Sequence, residues 1–345
     1  PEAQAAGALY VSAENAMFNN VFGGAQIIEV VVINGQDETD EEQGEPVVKV
    51  DENQLRMAQG VDGNWYGYFG DKTQVPLADE SSYLNFGTDS DPTIIKGDWA
   101  EASNVYKNQA GSPQNVATNY PTLSSWNGTG TVNMVANAGV GQIGIAQADW
   151  PVIQLYDFTI GMFDVVLEQA GADEVVTLDF NSADLDDYAS LTLDRSSASQ
   201  ESEIHLVITD NQLNIDPTAE DIVSFWVGGS SLTNGVSWMN RTTTWGDTDY
   251  IAYSNAFDDN GKLIINNATN GGASILANDA TLDDATADNY MIFYEGGENS
   301  GIFYNTDDND DASIVVADAA KRGFTATFDY NDSAQSFVVA NDFGT

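Results

Sequence analysis

The chain has 345 residues, of which 54 are Asp or Glu and 10 are Lys or Arg, so its formal net charge is −44. An acidic surface of this kind repels the phosphates of nucleic acids and anionic lipids, which argues against both as natural partners. There is no cysteine, so disulfides, thiolate metal sites and cysteine catalysis are excluded as well. The hydrophobic content of 42% is enough to build substantial cores, unlike that of a disordered acidic tail.

The N-terminal part of the sequence reads as a series of β-strands. Segments rich in β-branched residues predict strands at residues 9–11, 27–33 and 46–50. The pair Asp62-Gly63 predicts a hairpin turn between residues 54–59 and 65–69. Because large aromatic side chains occupy both faces of 65–69, we expect both faces of that strand to be covered.

Residues 76–150 have a different composition, rich in Asn, Gly, Ser, Thr and Pro. We interpret 76–130 as a long insertion with little regular structure, and 131–147 as the best candidate for further strands. An insertion of this length inside a compact domain is unusual and is typical of functional loops. No run of about 18 or more apolar residues occurs anywhere in the chain, so this segment is not expected to span a membrane.

From residue 152 onward the strand pattern becomes regular. Apolar alternation predicts strands at 152–158, 161–168, 174–180, 191–193, 204–209, 222–227, 290–294, 301–304, 314–316, 324–330 and 335–340. We read 181–187 as an acidic turn and 317–321 as a short helix. Residues 228–288 are looser and resemble a second insertion.

Short strands separated by Gly, Asn and Asp predict an all-β protein of consecutive immunoglobulin-like β-sandwich domains with long loop insertions. We expect a first domain at 1–158 and a second at 159–345, with a further division near 245 as an alternative. The chain starts without Met, and we expect it to be the mature N-terminal segment of a longer secreted protein.

Catalysis has little support in the sequence. His205 is the only histidine, and it lies in an apolar strand pattern where a locally paired ring is the simplest interpretation. No G-x-S-x-G, H-E-x-x-H or phosphate-binding glycine loop occurs. A pair of carboxylates is weak evidence for a catalytic site in a chain with so many Asp and Glu residues. We therefore expect that the protein is not an enzyme.

Metal binding has better support, because Ca²⁺ takes several carboxylate and carbonyl oxygens. The alternating carboxylates near residue 307 are the first candidate, although Ala312 stands where an EF-hand loop needs Gly. The turn at Asn260-Gly261 and the acidic segments 184–187 and 37–42 are further candidates. The predicted ligands are Asp307, Asp308, Asn309, Asp310, Asp311, Asp258, Asp259, Asp184, Asp186 and Asp187. A solvated turn is the alternative interpretation for each cluster, since Asn, Asp and Gly also favour turns.

Four N-x-[ST] sequons predict glycosylation of a secreted chain at Asn127, Asn240, Asn267 and Asn331. Aromatic residues could form a carbohydrate-binding platform, with Trp65, Trp99, Trp126, Trp238 and Trp245 as candidates. Core packing is the alternative role for each of them.

Several long segments resemble a known family. They are FNNVFGGAQIIEVVVIN at 18–34, GEPVVKVDENQLRMAQGVDGNWYGYFGDKTQ at 44–74, residues 172–223, and YEGGENSGIFYNTDDNDDASIVV within 294–339. Together they are similar to the S-layer proteins of ammonia-oxidising archaea, marine Nitrosopumilus-like forms in particular. Residues 76–130 and 228–285 match that pattern less clearly.

The resemblance implies a secreted, glycosylated cell-surface protein whose copies assemble into a two-dimensional lattice ordered by Ca²⁺. Its implied partners are copies of itself and cations, including NH₄⁺ that an anionic porous lattice would concentrate near the membrane. A calcium-dependent adhesin or carbohydrate-binding β-sandwich protein is the alternative function.

Overall fold

The computed structural model describes residues 8–33, 45–51, 53–71, 74–75, 153–218, 220–226, 235–238, 262–266, 275–278, 290–306, 310–312, 314–331 and 333–340. Strands dominate these parts of the chain, and helix is scarce within them. Ser182–Asp186 is a five-residue α-helix, and Ala16–Phe18 and Asn211–Leu213 are single 3₁₀ turns. The all-β prediction is therefore confirmed.

The chain divides into two compact units. The first contains the described residues up to Ser182 together with Ile215–Thr218, and the second contains Ala183–Asn214 and the described residues from 220 onward. The strands of the first unit are β1 (Leu9–Val11), β2 (Val21–Phe22), β3 (Ile28–Val32), β4 (Val48–Val50), β5 (Asn53–Leu55), β6 (Ala58–Gln59), β7 (Trp65–Asp71), β8 (Ile153–Tyr156), β9 (Gly161–Leu167) and β10 (Glu174–Phe180).

The first unit consists of two five-stranded sheets. One has the order β1-β3-β7-β6, with β8 also beside β7, and the other has the order β2-β10-β9-β4-β5. Strand β9 pairs with β4 along three residues. The sequence suggested a domain division at 158/159, between β8 and β9, whereas the first compact unit includes both strands and continues to Ser182.

The core of the first unit forms where side chains of both sheets meet. In β10 the alternation is clear: Val176, Leu178 and Phe180 are buried, while Val175 points to solvent with 52% exposure. Phe22 of one sheet lies edge-on to Phe69 of the other, with ring centroids 6.3 Å apart. Edge-to-face contacts of this kind add to the free energy of burying aromatic surface.

Strand β7 is buried on both faces, as its aromatic sequence predicted. Trp65 and Phe69 belong to the core cluster, while Tyr68 is 7% exposed. The Tyr68 hydroxyl donates to the Glu29 carboxylate at 3.0 Å. Burial and the Glu29 charge together raise the pKa of Tyr68 above its usual value.

The second unit has a similar construction. Its strands are β11 (Ser190–Leu193), β12 (Ser197–Ala198), β13 (Leu206–Thr209), β14 (Ile222–Trp226), β15 (Gly235–Trp238), β16 (Lys262–Asn266), β17 (Leu276–Asn278), β18 (Tyr290–Glu295), β19 (Ile302–Tyr304), β20 (Ile314–Val316), β21 (Thr325–Tyr330) and β22 (Ser333–Val339). The sheets have the orders β11-β13-β19-β18-β14 and β12-β22-β21-β16-β15, with a separate pair β17-β20. Phe225 of β14 makes an edge-on contact with Phe293 of the same sheet and another with Tyr330 of the other sheet, so the second contact links the two sheets.

One arrangement of strands occurs in both units. The first strand of each unit pairs antiparallel with a neighbour in one sheet, as β1 does with β3 and β11 with β13. The second strand then pairs in parallel with the last strand of the other sheet, as β2 does with β10 and β12 with β22. The chain therefore crosses from one sheet to the other at the start of each unit.

Three local predictions need correction. Residues 54–59 are not one strand but the end of β5 and then β6, because the chain changes sheets at Arg56 and Met57. Residues 182–186 form a short helix rather than a turn, since Leu185 is buried beneath it. The helix expected at 317–321 is a turn closed by the Ala320 N–H on the Ala317 carbonyl.

Candidate functional site

Buried polar side chains of the second unit cluster near one end of its strands. Asp210, Gln212, Asn214, Asp221 and Glu295 are all at most 3% exposed. They come from the turn after β13, from the residue before β14, and from the last position of β18. We call the following residues the acidic pole: Asp186, Asp210, Asn214, Asp221, Glu295 and Asn299.

Strand pairing places two buried carboxylates side by side. Ile222 of β14 lies opposite Tyr294 of β18, so Asp221 falls opposite Glu295. The Glu295 N–H donates to the Asp221 carbonyl at 2.9 Å, and the Asp221 N–H donates to Glu295 Oε2 at 3.0 Å. Two like charges directly across a strand pair repel each other, and burial strengthens that repulsion.

The Glu295 carboxylate also organises the hairpin loop between β18 and β19. Its Oε1 accepts hydrogen bonds from the Ser300 N–H at 2.7 Å and the Gly301 N–H at 2.8 Å. Gly301 has φ +63°, a left-handed conformation that glycine adopts without steric strain. Burial, and then the Asp221 charge, raise the pKa of Glu295 to about 8 in spite of these donors.

Asp210 joins the two sheets of the second unit. Its Oδ2 accepts the Tyr330 hydroxyl at 2.5 Å, and its Oδ1 accepts the Gln212 N–H at 2.9 Å. Its own N–H donates to the Gly301 carbonyl at 2.9 Å, which brings the Glu295 hairpin alongside. Burial raises the pKa of Asp210 to about 6, and the nearby Asp186 charge acts in the same direction.

An amide pair completes the acidic pole. Asn214 is 2% exposed, and its Nδ2 donates to Asn299 Oδ1 at 2.8 Å. Within the described part of the chain, the buried Oδ1 of Asn214 accepts no hydrogen bond. A buried carbonyl oxygen without a donor is unfavourable by about 1–3 kcal/mol.

The acidic pole offers oxygen ligands and no nitrogen or sulfur. Hard cations such as Ca²⁺ accept carboxylate and amide oxygens in irregular arrangements. Among the residues that the structure describes, no three His, Asp or Glu side chains lie close enough together to hold a metal ion by themselves. Any cation here would therefore rely on a carboxylate pair supplemented by amide or backbone oxygens.

The structure describes five of the ten predicted metal ligands. Asp307, Asp308, Asn309, Asp258 and Asp259 lie outside the described residues, as does the acidic segment 37–42. Asp310 and Asp311 are exposed in a loop closed by a bridge between Thr306 and Ala312, whose side chain is buried. Asp184 and Asp187 are exposed at the short helix, while Asp186 is part of the acidic pole.

Sequence reasoning missed the acidic pole apart from Asp186. Asp210 and Glu295 carry a weak signal, since each is an acidic residue next to a strong strand pattern. Their burial, and the pairing of Glu295 with Asp221, depend on the tertiary fold and on strand register, which the sequence alone did not specify.

Three sequons, at Asn127, Asn240 and Asn267, lie outside the described residues. Asn331 occupies the turn between β21 and β22 with φ +43°, and its Nδ2 is shielded from solvent. A glycan on Asn331 would therefore require its side chain to rotate outward.

The structure describes two of the candidate sugar-binding and catalytic residues in full, Trp65 and His205. Trp65 is 5% exposed and packs in the core. Trp99, Trp126 and Trp245 lie outside the described residues, and the side chain of Trp238 is not described. His205 pairs locally, with its Nε2 3.3 Å from Glu203 Oε2. None of the helices described is long and apolar enough to cross a membrane.

Comparison with known proteins gives no relative on which to base a function. No family model matches the chain, and no curated protein matches it. One match among solved structures comes from work on the manganese lipoxygenase of Gaeumannomyces graminis and the zonadhesin of Komagataella pastoris. It is 9% identical, covers 92% of this chain and 86% of that chain, and has a TM-score of 0.16. A match with a TM-score this low carries no information about function.

Proposed function

We propose that the chain is part of a structural surface-layer protein that forms a porous, anionic two-dimensional lattice around an archaeal cell, stabilised by Ca²⁺. The observation that carries the proposal is a succession of two β-units of the same construction in a chain of net charge −44. Repeated rigid β-domains suit a load-bearing coat, and the resemblance to S-layer proteins of ammonia-oxidising archaea points the same way.

The strand order supports an immunoglobulin-like sandwich for each unit. An immunoglobulin fold has strands A, B, E and D in one sheet and G, F and C in the other, with C′ beside C in larger forms. The first unit has β1-β3-β7-β6 and β10-β9-β4-β5, which match A-B-E-D and G-F-C-C′ in chain order. In the second unit β11-β13-β19-β18 and β22-β21-β16 match the same pattern, and β14 and β15 are extra edge strands.

A structural role also accounts for the charge. Self-repulsion of an acidic surface destabilises the compact state at low ionic strength. It is screened over about 8 Å at physiological salt, and bound divalent cations reduce it further. A salty extracellular setting with Ca²⁺ therefore suits this chain.

Assembly is the direct test. We expect the purified protein to form sheets or tubes in electron micrographs when Ca²⁺ is added, and to disperse when a chelator removes it. Dispersed particles that bind glycans in the presence of Ca²⁺ would instead support the alternative of a calcium-dependent adhesin. Dispersed particles that bind no glycan would contradict both functions.

Cation enrichment by the lattice is a separate part of the proposal. A negative potential in the pores concentrates NH₄⁺ and depletes anions. We expect assembled sheets to retain more NH₄⁺ at low salt than sheets whose surface carboxylates have been amidated. Equal retention by the two preparations would show that the charge has no such role.

A further inference from the structure

A group of uncharged side chains lies on the outward surface of one sheet of the second unit. Side chains alternate between the two faces of a strand, and the core residues of these strands, such as Leu206 and Phe303, are at most 1% exposed. Their neighbours along each strand therefore point outward. We call the following outward residues the tyrosine face: Thr192, Val207, Thr209, Tyr294, Ile302 and Tyr304.

Strand pairing joins these residues into one surface. Val207 of β13 lies opposite both Thr192 of β11 and Tyr304 of β19. Tyr304 in turn lies opposite Tyr294 of β18. Side chains directly across a strand pair are close enough to touch, so this row is continuous over four strands. The adjacent row consists of Thr209 and Ile302.

The ring of Tyr304 is 40% exposed, yet its position is fixed by the hairpin beneath it. It lies over the backbone of Gly296, where an added Cβ atom would come within 2.5 Å of Tyr304 Cε2. The Gly296 N–H donates to the Ile302 carbonyl at 2.9 Å, which holds this part of the hairpin. A tyrosine that is ordered before binding loses little conformational entropy when it binds.

Charged groups near the tyrosine face lie at its edge and have partners. Asp194 and His205, just outside β11 and β13, are joined by a main-chain hydrogen bond. Asp194 pairs with Arg195 at 2.7 Å, and His205 lies 3.3 Å from Glu203. None of the residues of the face itself is charged, in a chain with 54 Asp and Glu residues. The centres of protein interfaces have this composition, with few charges and many tyrosines.

We propose that the tyrosine face is a contact between two copies of this chain, in which the same face of each copy packs against the other. Two chains of net charge −44 repel each other. A direct contact between them is therefore favoured where both surfaces lack carboxylates, and the tyrosine face of a second copy meets this condition. Pairing of one surface with itself is also the commonest arrangement in homo-oligomers.

The size of the face predicts a weak contact. Four strands spaced about 4.8 Å apart, each contributing about five residues of about 3.4 Å, give roughly 250 Å² per copy. Stable complexes bury about 800 Å² per partner. We therefore expect weak pairing of dispersed copies and firm pairing only within an array, where neighbouring contacts raise the effective concentration.

This contact deepens the proposed function and rests on it, since a surface layer is built from contacts between copies. A contact between identical faces closes as a dimer. A lattice therefore needs at least one further contact, whereas pairing at the tyrosine face does not need a lattice.

Thiol cross-linking of the whole chain tests the contact, both in concentrated solution at high salt and in sheets formed with Ca²⁺. The chain has no cysteine, so Thr192→Cys introduces a single thiol on the tyrosine face. The matched control is Thr325→Cys, at an exposed threonine on the outward surface of the other sheet. We expect a bismaleimide to give at least about tenfold more dimer from Thr192→Cys than from Thr325→Cys. Equal yields would overturn the proposal.

Added charge provides a second test, in which each variant carries the same new carboxylate. Thr192→Asp places it on both apposed faces, and we expect pairing to weaken by about tenfold or more in sedimentation equilibrium of concentrated protein, because like charges across an interface repel. Thr325→Asp should pair as the parent chain does. Equal urea-unfolding midpoints of the two variants show that the difference does not come from misfolding.

Two results of these experiments would refute the contact. One is pairing by Thr192→Asp that is as strong as that of the parent chain. The other is a parent chain that stays monomeric in concentrated solution and binds neutral oligosaccharides at the tyrosine face, which would assign this surface to carbohydrate binding.

The outcomes also separate the contact from the surface-layer function. Dimers cross-linked through Thr192→Cys, without any sheets in electron micrographs, would leave the contact in place and refute the lattice. Calcium-dependent sheets formed equally by Thr192→Asp, without cross-linking of Thr192→Cys, would refute the contact and leave the lattice in place.

Discussion

The hydrogen bond between Tyr330 and Asp210 offers a precise test of the second unit. Tyr330 is fully buried and donates to an almost fully buried carboxylate over 2.5 Å. Tyr330→Phe removes only the hydroxyl, so it leaves the ring packing in place and deprives Asp210 Oδ2 of its donor. A hydrogen bond to an ionised group contributes about 1.5–3 kcal/mol, and a neutral one contributes about 1 kcal/mol.

The pH dependence of this loss follows from the pKa of Asp210. Burial raises that pKa to about 6 in the folded protein, so Asp210 is ionised at pH 8 and protonated at pH 4.5. We therefore expect Tyr330→Phe to lower the free energy of unfolding by about 2–3 kcal/mol at pH 8 and by about 1 kcal/mol at pH 4.5.

Urea unfolding followed by near-UV circular dichroism measures this difference, at a fixed high salt concentration that screens the net charge. Tyr304→Phe is the control, because Tyr304 is 40% exposed and its hydroxyl loss should change stability little at either pH. An equal loss at both pH values would refute the assignment of Asp210 as the ionising partner. A loss below about 0.5 kcal/mol would refute a significant contribution from the bond.

Further predictions concern pH and the first unit. The raised pKa values of Glu295 and Asp210 mean that the folded state holds protons that the unfolded state releases, so these groups stabilise the protein at low pH and lose that contribution as pH rises from about 4 to 8. Glu295→Gln should flatten the pH dependence of the unfolding midpoint measured without Ca²⁺, and an unchanged slope would contradict this. Gln154→Leu should lower the unfolding free energy by about 2–4 kcal/mol, since the buried Gln154 amide bonds both the N–H and the carbonyl of Arg56 at 2.8 Å; a smaller loss in urea unfolding would mean that water replaces it. Phe69→Ala should cost about 3–5 kcal/mol, because Phe69 is fully buried among aromatic rings; a loss below about 1 kcal/mol would show that the core collapses around the vacated space.

The strands were predictable because apolar alternation marks them directly. Glu174–Phe180 has the limits that its sequence suggested, since one face of the strand is buried and the other faces solvent. The two-residue strands Val21–Phe22 and Ser197–Ala198 were not predicted. A two-residue segment shows no periodicity. Both strands are defined by parallel pairing with a strand that is distant in sequence, β10 for the first and β22 for the second.

The acidic pole was harder to predict for a different reason. In a sequence with 54 acidic residues, a single Asp or Glu carries almost no information about its environment. Glu295 differs from its neighbour Glu298 only in register: the first ends a buried strand, while the second lies exposed in the following loop. Tertiary pairing, rather than composition, decides which carboxylate is desolvated.

Strand β8 has a consequence for how the first unit can vary. The chain leaves β7 at Asp71 and returns in β8, which lies in parallel beside the same strand, with Ile153 opposite Tyr68 and Tyr156 opposite Asp71. The point of departure and the point of return are thus a few residues apart along one strand edge. A parallel return of this kind needs only about a dozen residues between its two strands, so beyond that minimum the register of β3, β7 and β8 does not depend on the length of chain that joins Asp71 to Ile153.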